Sequence, residues 1–192
     1  DILIYDNSDL KSSCRCWFSL LYFGHDEKKI HILNGGLKKW IFENKPITKL
    51  TTEIIESNYV ANEKENLVVS FDQIKKNILS KSFNVIDARS LERFEGKVSE
   101  PRKGLRSGHI QNSFCLPFNQ CINQKTGEFK NLQELRELFN QNENIEKRLD
   151  QVFTCGSGVT AAVLAYAYKM VNNDYIPKIY DGSWSEYGKY PA

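Results

Sequence analysis

The chain has 192 residues, of which 41% are hydrophobic and 26% are charged, a composition that suits one or two globular domains with adequate cores. Because 26 basic residues nearly balance 24 acidic ones, electrostatics give no reason to expect nucleic acid or an anionic membrane as the main partner. No apolar run approaches about 18 residues, so we expect no transmembrane helix.

The first 45 residues predict two strand–helix pairs. Residues 1–5 form an apolar run, and the polar residues 6–9 have the turn and capping chemistry that starts a helix. This helical stretch stops at Gly24-His25. The remaining elements predicted here are a strand at residues 29–33, a turn at Asn34-Gly35-Gly36 and a short amphipathic helix at residues 37–43.

Residues 46–66 predict a linker, because they are rich in Thr, Glu, Asn and Lys. Beyond it, the pattern predicts a longer α/β segment with a long loop after its first strand. The elements predicted in this segment are a helix at 71–79, a strand at 83–87, a helix at 133–140, a strand at 150–154, a helix at 161–170, a strand at 178–180 and a short helix at 184–187.

The end of the chain repeats the order of elements at its start, which predicts two copies of one α/β unit. Asp6 aligns with Cys155, and Asn34-Gly35-Gly36-Leu37 aligns with Asp181-Gly182-Ser183-Trp184. Only the second copy therefore carries a nucleophile. The first copy lacks a counterpart of residues 71–87, and a parallel sheet without its early strands exposes apolar edges. We therefore expect that the sequence begins within a domain, after roughly 80 absent residues that include any targeting peptide.

The loop Cys155-Gly156-Ser157-Gly158-Val159-Thr160 follows a predicted buried strand and precedes a helix. Its glycines allow backbone conformations that a side chain forbids, so that successive N–H groups can turn inward. With the positive end of the helix behind them, these donors form a cradle for one negative atom. A cysteine at a helix N-terminus ionises more readily than a free one, which favours Cys155 as a thiolate nucleophile. The alternative is a small buried cysteine before an ordinary strand-to-helix turn.

The other cysteines indicate a reducing compartment, since five is an odd number and their spacing is irregular. Cys14 and Cys16 lie on nearly opposite faces of a predicted helix, which is poor metal-ligand geometry. None of the three histidines accompanies a cysteine cluster. We therefore expect no metal site and no cofactor.

The segment from residue 89 to residue 110 is a long basic loop at the carboxyl end of a predicted strand, where ligands bind in α/β sheets. Its arginines suit bidentate recognition of a carboxylate or oxyanion. The alternative, favoured by composition for any single arginine, is a solvated loop with ordinary pairs to Glu92, Glu95 and Glu100. His109 is interpreted as a structural hydrogen-bonding residue. The four arginines are Arg89, Arg93, Arg102 and Arg106.

Several motifs occur in one order along the chain: Asp87-Ala88-Arg89, Arg93-Phe94-Glu95-Gly96, Glu100-Pro101-Arg102, Ser107-Gly108-His109-Ile110, the Cys155 loop and Asp181-Gly182-Ser183-Trp184-Ser185-Glu186. Together with the internal repeat, they resemble the tandem-domain rhodanese family of sulfurtransferases over nearly the whole chain. The resemblance implies an α/β fold with a parallel central sheet flanked by helices, in two tandem copies of which the first is truncated. Residues 1–45 are then the end of an inactive first domain, 46–66 the linker, and 67–192 the catalytic second domain.

The resemblance also implies a sulfurtransferase reaction. Cys155 attacks the sulfur of the donor and becomes a persulfide, which a thiol acceptor or cyanide then discharges. Arg93 and Arg102 match the arginines that hold the carboxylate and keto oxygen of 3-mercaptopyruvate, and Ser157 matches a serine that assists proton movement. The expected substrate-binding set also includes Gly156, Gly158, Val159 and Thr160.

The loop composition favours 3-mercaptopyruvate as donor. Thiosulfate enzymes of the family usually carry basic residues at the second and third loop positions, which are Gly156 and Ser157 here. The expected partners are the small-molecule donor and an acceptor thiol, either a thioredoxin-like protein or a small thiol, without nucleic acid or membrane. The expected location is the cytoplasm, with the mitochondrion as the alternative. The family also brings an aspartate and a histidine from the early first domain to the cysteine, and this sequence lacks that part.

Three other functions remain as alternatives. The first is a thiosulfate:cyanide sulfurtransferase of the same fold. The second is a cysteine phosphatase, which needs an arginine six residues after the nucleophile, where Ala161 stands. The third is a non-catalytic binding module, although the presence of Cys155 argues against it for the second copy.

Overall fold

The computed structural model describes residues 1–141 and 145–190, so the last two residues of the expected second domain lie outside the described part. The helices are α1 (Ser12–Tyr22), α2 (Gly36–Phe42), α3 (Phe71–Ser80), α4 (Leu91–Phe94), α5 (Leu132–Asn140), α6 (Ala161–Val171) and α7 (Ser183–Tyr187). The strands are β1 (Ile2–Ile4), β2 (Ile30–Ile32), β3 (Phe83–Asp87), β4 (Phe114–Cys115) and β5 (Asp150–Thr154).

The first unit is a two-stranded parallel sheet of β1 and β2, in which Ile2 pairs with Ile30. Helix α1 follows β1 because Asp6 accepts hydrogen bonds from the N–H groups of Ser8 and Ser13, which turns the chain into the helix. The apolar side chains of α1 recur at helical spacing and are buried on one face: Cys14, Trp17, Phe18 and Leu21.

The second unit is built on a parallel sheet with the strand order β4-β3-β5. Strands β3 and β5 pair from Phe83 opposite Asp150 to Asp87 opposite Thr154. The strand expected at residues 178–180 is present only as single parallel bridges, from Ile179 to Val68 and Phe153. Both neighbours hydrogen-bond this extended segment, so it continues the sheet beyond β5.

Helix α6 lies in the centre of the molecule, with α1 packed against it. Ala161 to Ala165 are fully buried, because their small side chains let neighbouring elements approach the helix closely. Trp17 of α1 meets Tyr166 of α6 edge to face, with ring centroids 5.0 Å apart. One hydrophobic cluster therefore includes side chains of both units. Residues 45–64, most of the expected linker, carry no helix or strand.

Each unit has two backbone hydrogen bonds of its own, and they occur at positions that the sequence alignment pairs. In each unit, one N–H at the end of the neighbouring extended segment binds a carbonyl of the strand that precedes Asp6 or Cys155, and one N–H in the following helix binds the carbonyl of Asp6 or Cys155 itself. The bonds are Leu33 N to Ile4 O (2.8 Å) and Leu37 N to Asp6 O (2.9 Å) in the first unit, and Tyr180 N to Phe153 O (2.9 Å) and Trp184 N to Cys155 O (2.9 Å) in the second. Asp6 and Cys155 thus stand at equivalent points of the two units.

Candidate active site

Cys155 is the first residue after β5 and precedes the N-terminus of α6. Its side chain is surrounded by the loop, and the residue is only 2% exposed. The N–H of Ser157 donates to the Cys155 sulfur at 3.4 Å. The backbone at Gly158 has a φ of +79°, a conformation that glycine adopts without strain. The inward-turning loop predicted from the glycines is thus present, with one N–H directed at the sulfur.

Two arginines from the long loop after β3 converge on residues 155–160, the nucleophile loop, which is named for the predicted role of Cys155. A methyl group on Gly156 would lie 3.1 Å from Arg93 Nη2 and 3.6 Å from Arg102 Nη1. Arg102 Nη2 also donates to the Ser157 hydroxyl at 3.0 Å. The fold therefore brings Arg93, Arg102, Gly156 and Ser157 together beside Cys155, as an anion-binding site requires.

The arginines of this loop divide into structural and site-facing residues. The side chain of Arg89 is fully buried and its donors bind both carboxylate oxygens of Asp87, one oxygen of Glu100 and the carbonyl of Gly108. Arg93 binds Glu100 through Nη2 at 2.6 Å and Nε at 3.2 Å. Within the described ranges, Arg102 forms no ion pair. Arg89 and Arg93 both pair with Glu100, as the alternative from composition expects, but the pair of Arg89 is buried rather than solvated.

Arg106 and Trp184 connect the same loop to α7. The guanidinium carbons of Arg89 and Arg106 lie 4.4 and 4.6 Å from the centroid of the Trp184 ring, within the range of cation–π contacts. The indole N–H of Trp184 donates to the carbonyl of Arg106 at 2.8 Å. Trp184 is 1% exposed, so these buried contacts anchor the basic loop to α7.

Sequence reasoning missed two residues that touch the nucleophile loop. The hydroxyl of Ser183 accepts hydrogen bonds from the N–H groups of Cys155 and Gly158. Arg15 of the first unit pairs with Asp181 and donates to the carbonyl of Gly158 at 3.4 Å. The sequence held one signal for Ser183: it aligns with Gly36, so the hydroxyl occurs only in the unit that carries Cys155. No local signal could have found Arg15, since its partner Asp181 is 166 positions away.

The remaining residues of the predicted site begin helix α6. Val159 and Thr160 accept hydrogen bonds through their carbonyls from Ala162 and Val163, which places both residues at the helix N-terminus. His109 stacks on the Phe94 ring, and its Nδ1 lies 2.9 Å from the Phe94 carbonyl, in line with its structural interpretation.

The other cysteines lie away from the nucleophile loop or within the core. Cys14 is buried and Cys16 exposed, so the prediction that they occupy opposite faces of α1 is confirmed. Burial raises the pKa values of Cys14 and Cys121, and that of Cys121 reaches about 12. Among the residues that the structure describes, no three potential ligands are grouped to hold a metal ion. The described helices are all too short or too polar to cross a membrane.

Comparison with known proteins gives a family and close relatives. The family model described as the rhodanese-like domain matches residues 70–190. The chain is 35% identical over 188 residues to human 3-mercaptopyruvate sulfurtransferase, covering 97% of this chain and 62% of that protein. It is 36% identical over 211 residues to thiosulfate/3-mercaptopyruvate sulfurtransferase 2 of Arabidopsis thaliana, covering 99% of this chain and 60% of that protein.

A solved structure agrees with these relatives. The crystal structure of SseA from Escherichia coli, described as a 3-mercaptopyruvate sulfotransferase with the rhodanese fold, superposes with a TM-score of 0.80 at 32% identity. The match covers 96% of this chain and 66% of that one. The chain thus spans less than two thirds of the length of each of these relatives. The expected fold class, a parallel sheet flanked by helices, is confirmed, and the chain belongs to the rhodanese-like domain family.

Proposed function

We propose that this chain carries the catalytic site of a sulfurtransferase that moves a sulfane sulfur from 3-mercaptopyruvate, through a persulfide on Cys155, to a thiol acceptor or cyanide. The observation that carries the proposal is the position of Cys155, with the Ser157 N–H directed at its sulfur and two guanidinium groups over the neighbouring Gly156. The named activities of the relatives support the same assignment.

In the first half-reaction, the Cys155 thiolate attacks the thiol sulfur of 3-mercaptopyruvate. An S–S bond forms, the C–S bond of the donor breaks, and the electron pair leaves with the carbon as the enolate of pyruvate. Arg93 and Arg102 bind the carboxylate and the keto oxygen, where negative charge develops in the enolate. Ser157, whose hydroxyl accepts a hydrogen bond from Arg102, assists proton transfer to the enolate carbon.

In the second half-reaction, an acceptor thiolate attacks the outer sulfur of the persulfide. The S–S bond breaks and its electron pair returns to Cys155, which regenerates the thiolate. With cyanide as acceptor, the product is thiocyanate. We propose a thioredoxin-like protein or a small thiol as the acceptor. A reducing compartment, the cytoplasm first and the mitochondrion as the alternative, suits the free cysteines.

The proposed domain organisation follows the same reasoning. Residues 67–192 form the catalytic unit, residues 46–66 the linker, and residues 1–45 belong to a non-catalytic unit in which Asp6 stands where Cys155 stands in the other. The matching hydrogen bonds of Leu37 and Trp184 support this arrangement. Gly156, Gly158, Val159 and Thr160 then supply backbone groups around the bound donor.

Thiosulfate is the second candidate donor, and one observation favours it. The guanidinium groups over Gly156 bring positive charge to a loop whose own side chains carry none, so a dianion can also be held there. The two donors are separated by comparing kcat/KM for 3-mercaptopyruvate and thiosulfate with cyanide as acceptor. A higher kcat/KM for thiosulfate would overturn the assignment of 3-mercaptopyruvate.

The sulfurtransferase proposal is tested by the mass of the intact protein before and after incubation with 3-mercaptopyruvate. We expect a gain of one sulfur atom with release of pyruvate, and no gain in Cys155→Ser. Cys16→Ser is the matched control, because Cys16 is the exposed cysteine of α1, and it should gain sulfur as the parent does. A protein that gains no sulfur contradicts the proposal and leaves the binding module, whereas a Cys155→Ser variant that still gains sulfur contradicts the assignment of Cys155 as the nucleophile.

A further inference from the structure

Ser183 has a fully used hydroxyl at the centre of the nucleophile loop. Its Oγ accepts from the N–H groups of Cys155 at 3.2 Å and Gly158 at 3.0 Å, accepts a longer hydrogen bond from the Thr154 hydroxyl at 3.4 Å, and donates to the carbonyl of Tyr180 at 2.9 Å. The one donated bond and the two shorter accepted bonds already use the full capacity of a hydroxyl, so the Thr154 contact is the weakest of the four. Because Ser183 is completely buried, water cannot replace these bonds.

These bonds determine which N–H groups of the loop are left for the sulfur. The N–H groups of Cys155 and Gly158, at the two ends of the four-residue segment, are both directed at one oxygen. The N–H of Ser157, between them, is directed at the Cys155 sulfur. The two residues after Ser183 bind the loop from the same side, since Trp184 N donates to Cys155 O and Ser185 N to Gly156 O, each at 2.9 Å.

The backbone of Ser183 supports a specific need for the hydroxyl. Its φ is +52°, a conformation that serine adopts far less readily than glycine. The aligned residue of the first unit is Gly36, with a φ of +60°. That unit has Asp6 in place of the cysteine. Ser183 therefore occurs in the unit that contains the Cys155 thiol, at a backbone position that would suit glycine better.

We propose that Ser183 is a positioning residue, which holds the curvature of the nucleophile loop and so directs the Ser157 N–H at the Cys155 sulfur. The proposal rests on the proposed function only where sulfur transfer is the readout. Other charged groups also act on this sulfur: Arg93 and Arg102 at Gly156, Glu100 behind Arg93, and the pair of Arg15 and Asp181 at Gly158. They remain in a Ser183 variant, so the expected loss is partial.

The test uses Ser183→Gly, which removes the hydroxyl while allowing the positive φ, and Ser183→Ala, which removes the hydroxyl alone. Thiolate at Cys155 is measured by ultraviolet absorbance at about pH 7, as the difference between each protein and its Cys155→Ser counterpart. We expect less thiolate and a kcat for 3-mercaptopyruvate that is lower by roughly tenfold to a hundredfold. This is less than the roughly hundredfold to thousandfold loss on removing an oriented donor outright, because the Ser157 N–H is misdirected rather than removed. KM should stay within about twofold, because Arg93 and Arg102 are untouched.

Two controls separate positioning from a general structural effect. Ser185→Ala removes a hydroxyl from the same helix that donates to Gly182 O at 2.7 Å, and it should keep the parent values. Ser183→Thr retains a hydroxyl and should recover part of both thiolate and kcat. Parent-like thiolate and kcat in the folded Ser183→Gly variant would overturn the proposal.

A third measurement needs no variant. Hydrogen exchange in the parent protein should be slow at the N–H groups of Cys155 and Gly158, because Ser183 holds both in a buried site. Fast exchange at both groups would overturn the positioning role even if the variants do not fold. Failure of the parent to transfer sulfur would refute the proposed function alone, since thiolate formation and hydrogen exchange are measured without a donor.

Discussion

Glu100 is a buried carboxylate between two arginines, and its replacement by glutamine tests how the loop beside Cys155 is held. The side chain is 1% exposed and binds Arg89 Nη1 at 2.8 Å and Arg93 Nη2 at 2.6 Å. Glutamine has nearly the same shape but no charge. Removing one partner of a buried ion pair typically costs about 3–5 kcal/mol.

The contacts indicate the low end of that range. Arg89 keeps both oxygens of Asp87, and Arg93 is partly open to water, so neither cation is left wholly uncompensated. The glutamine amide oxygen also remains as an acceptor. We expect Glu100→Gln to lower the free energy of unfolding by about 3 kcal/mol. For a domain of this size, that change corresponds to a Tm lower by roughly 6–12 °C.

The same variant should weaken donor binding. Arg93 loses the partner that holds its guanidinium over Gly156, so we expect KM for 3-mercaptopyruvate to rise by about tenfold, or about 1.4 kcal/mol, with a smaller change in kcat. The stability is measured by urea denaturation, and KM is measured by steady-state kinetics. Asp9→Asn is the control, because Asp9 pairs with Lys38 at 2.8 Å on the surface, where water screens the pair and its contribution to stability is small. A loss in Glu100→Gln no larger than in Asp9→Asn refutes the reasoning.

Three further predictions concern Gly158, Trp184 and Cys121. Gly158→Ala should lower kcat/KM at least about tenfold, because Gly158 has a φ of +79° and the added methyl group would lie 2.5 Å from Asp181 Oδ1. The control is Gly104→Ala, which has a similar φ of +80° but open space around it, and it should cost only about 1–2 kcal/mol of stability. Equal losses of activity in the two variants would contradict this prediction. Trp184→Phe should lower the free energy of unfolding by about 1–3 kcal/mol, because the partly buried Arg106 carbonyl loses its donor. A change under about 0.5 kcal/mol on denaturation would argue against it. Burial raises the pKa of Cys121 from 9.0 to about 12. The stability that Cys121 contributes is therefore complete below pH 9 and falls by about 1.4 kcal/mol per pH unit between about pH 9 and pH 12. The reason is that the thiol of the unfolded chain releases its proton in this range, whereas the thiol of the folded chain keeps it. Cys121→Ala should flatten that decline, and identical pH slopes for variant and parent would exclude the effect.

Local sequence determined most elements and the place of the nucleophile. Strands β3 and β5 have the bounds predicted from their apolar runs, and α6 extends one residue further than expected. These elements follow from residues within one window, where apolar periodicity, β-branched residues and glycine punctuation act together. The order of short motifs was also sufficient to indicate the rhodanese family, because each motif is contiguous.

Tertiary structure alone decided how the charged and polar groups pair. Composition favoured ordinary ion pairs for every arginine of the basic loop, yet Arg102 binds Ser157, 55 positions away, while Arg89 is buried against Asp87 and Glu100. The contact of Ser183 with Cys155 spans 28 positions. Such pairs depend on which loops packing brings together, and sequence patterns carry little information about it, since a charged side chain can bind any neighbour of opposite charge that the fold presents.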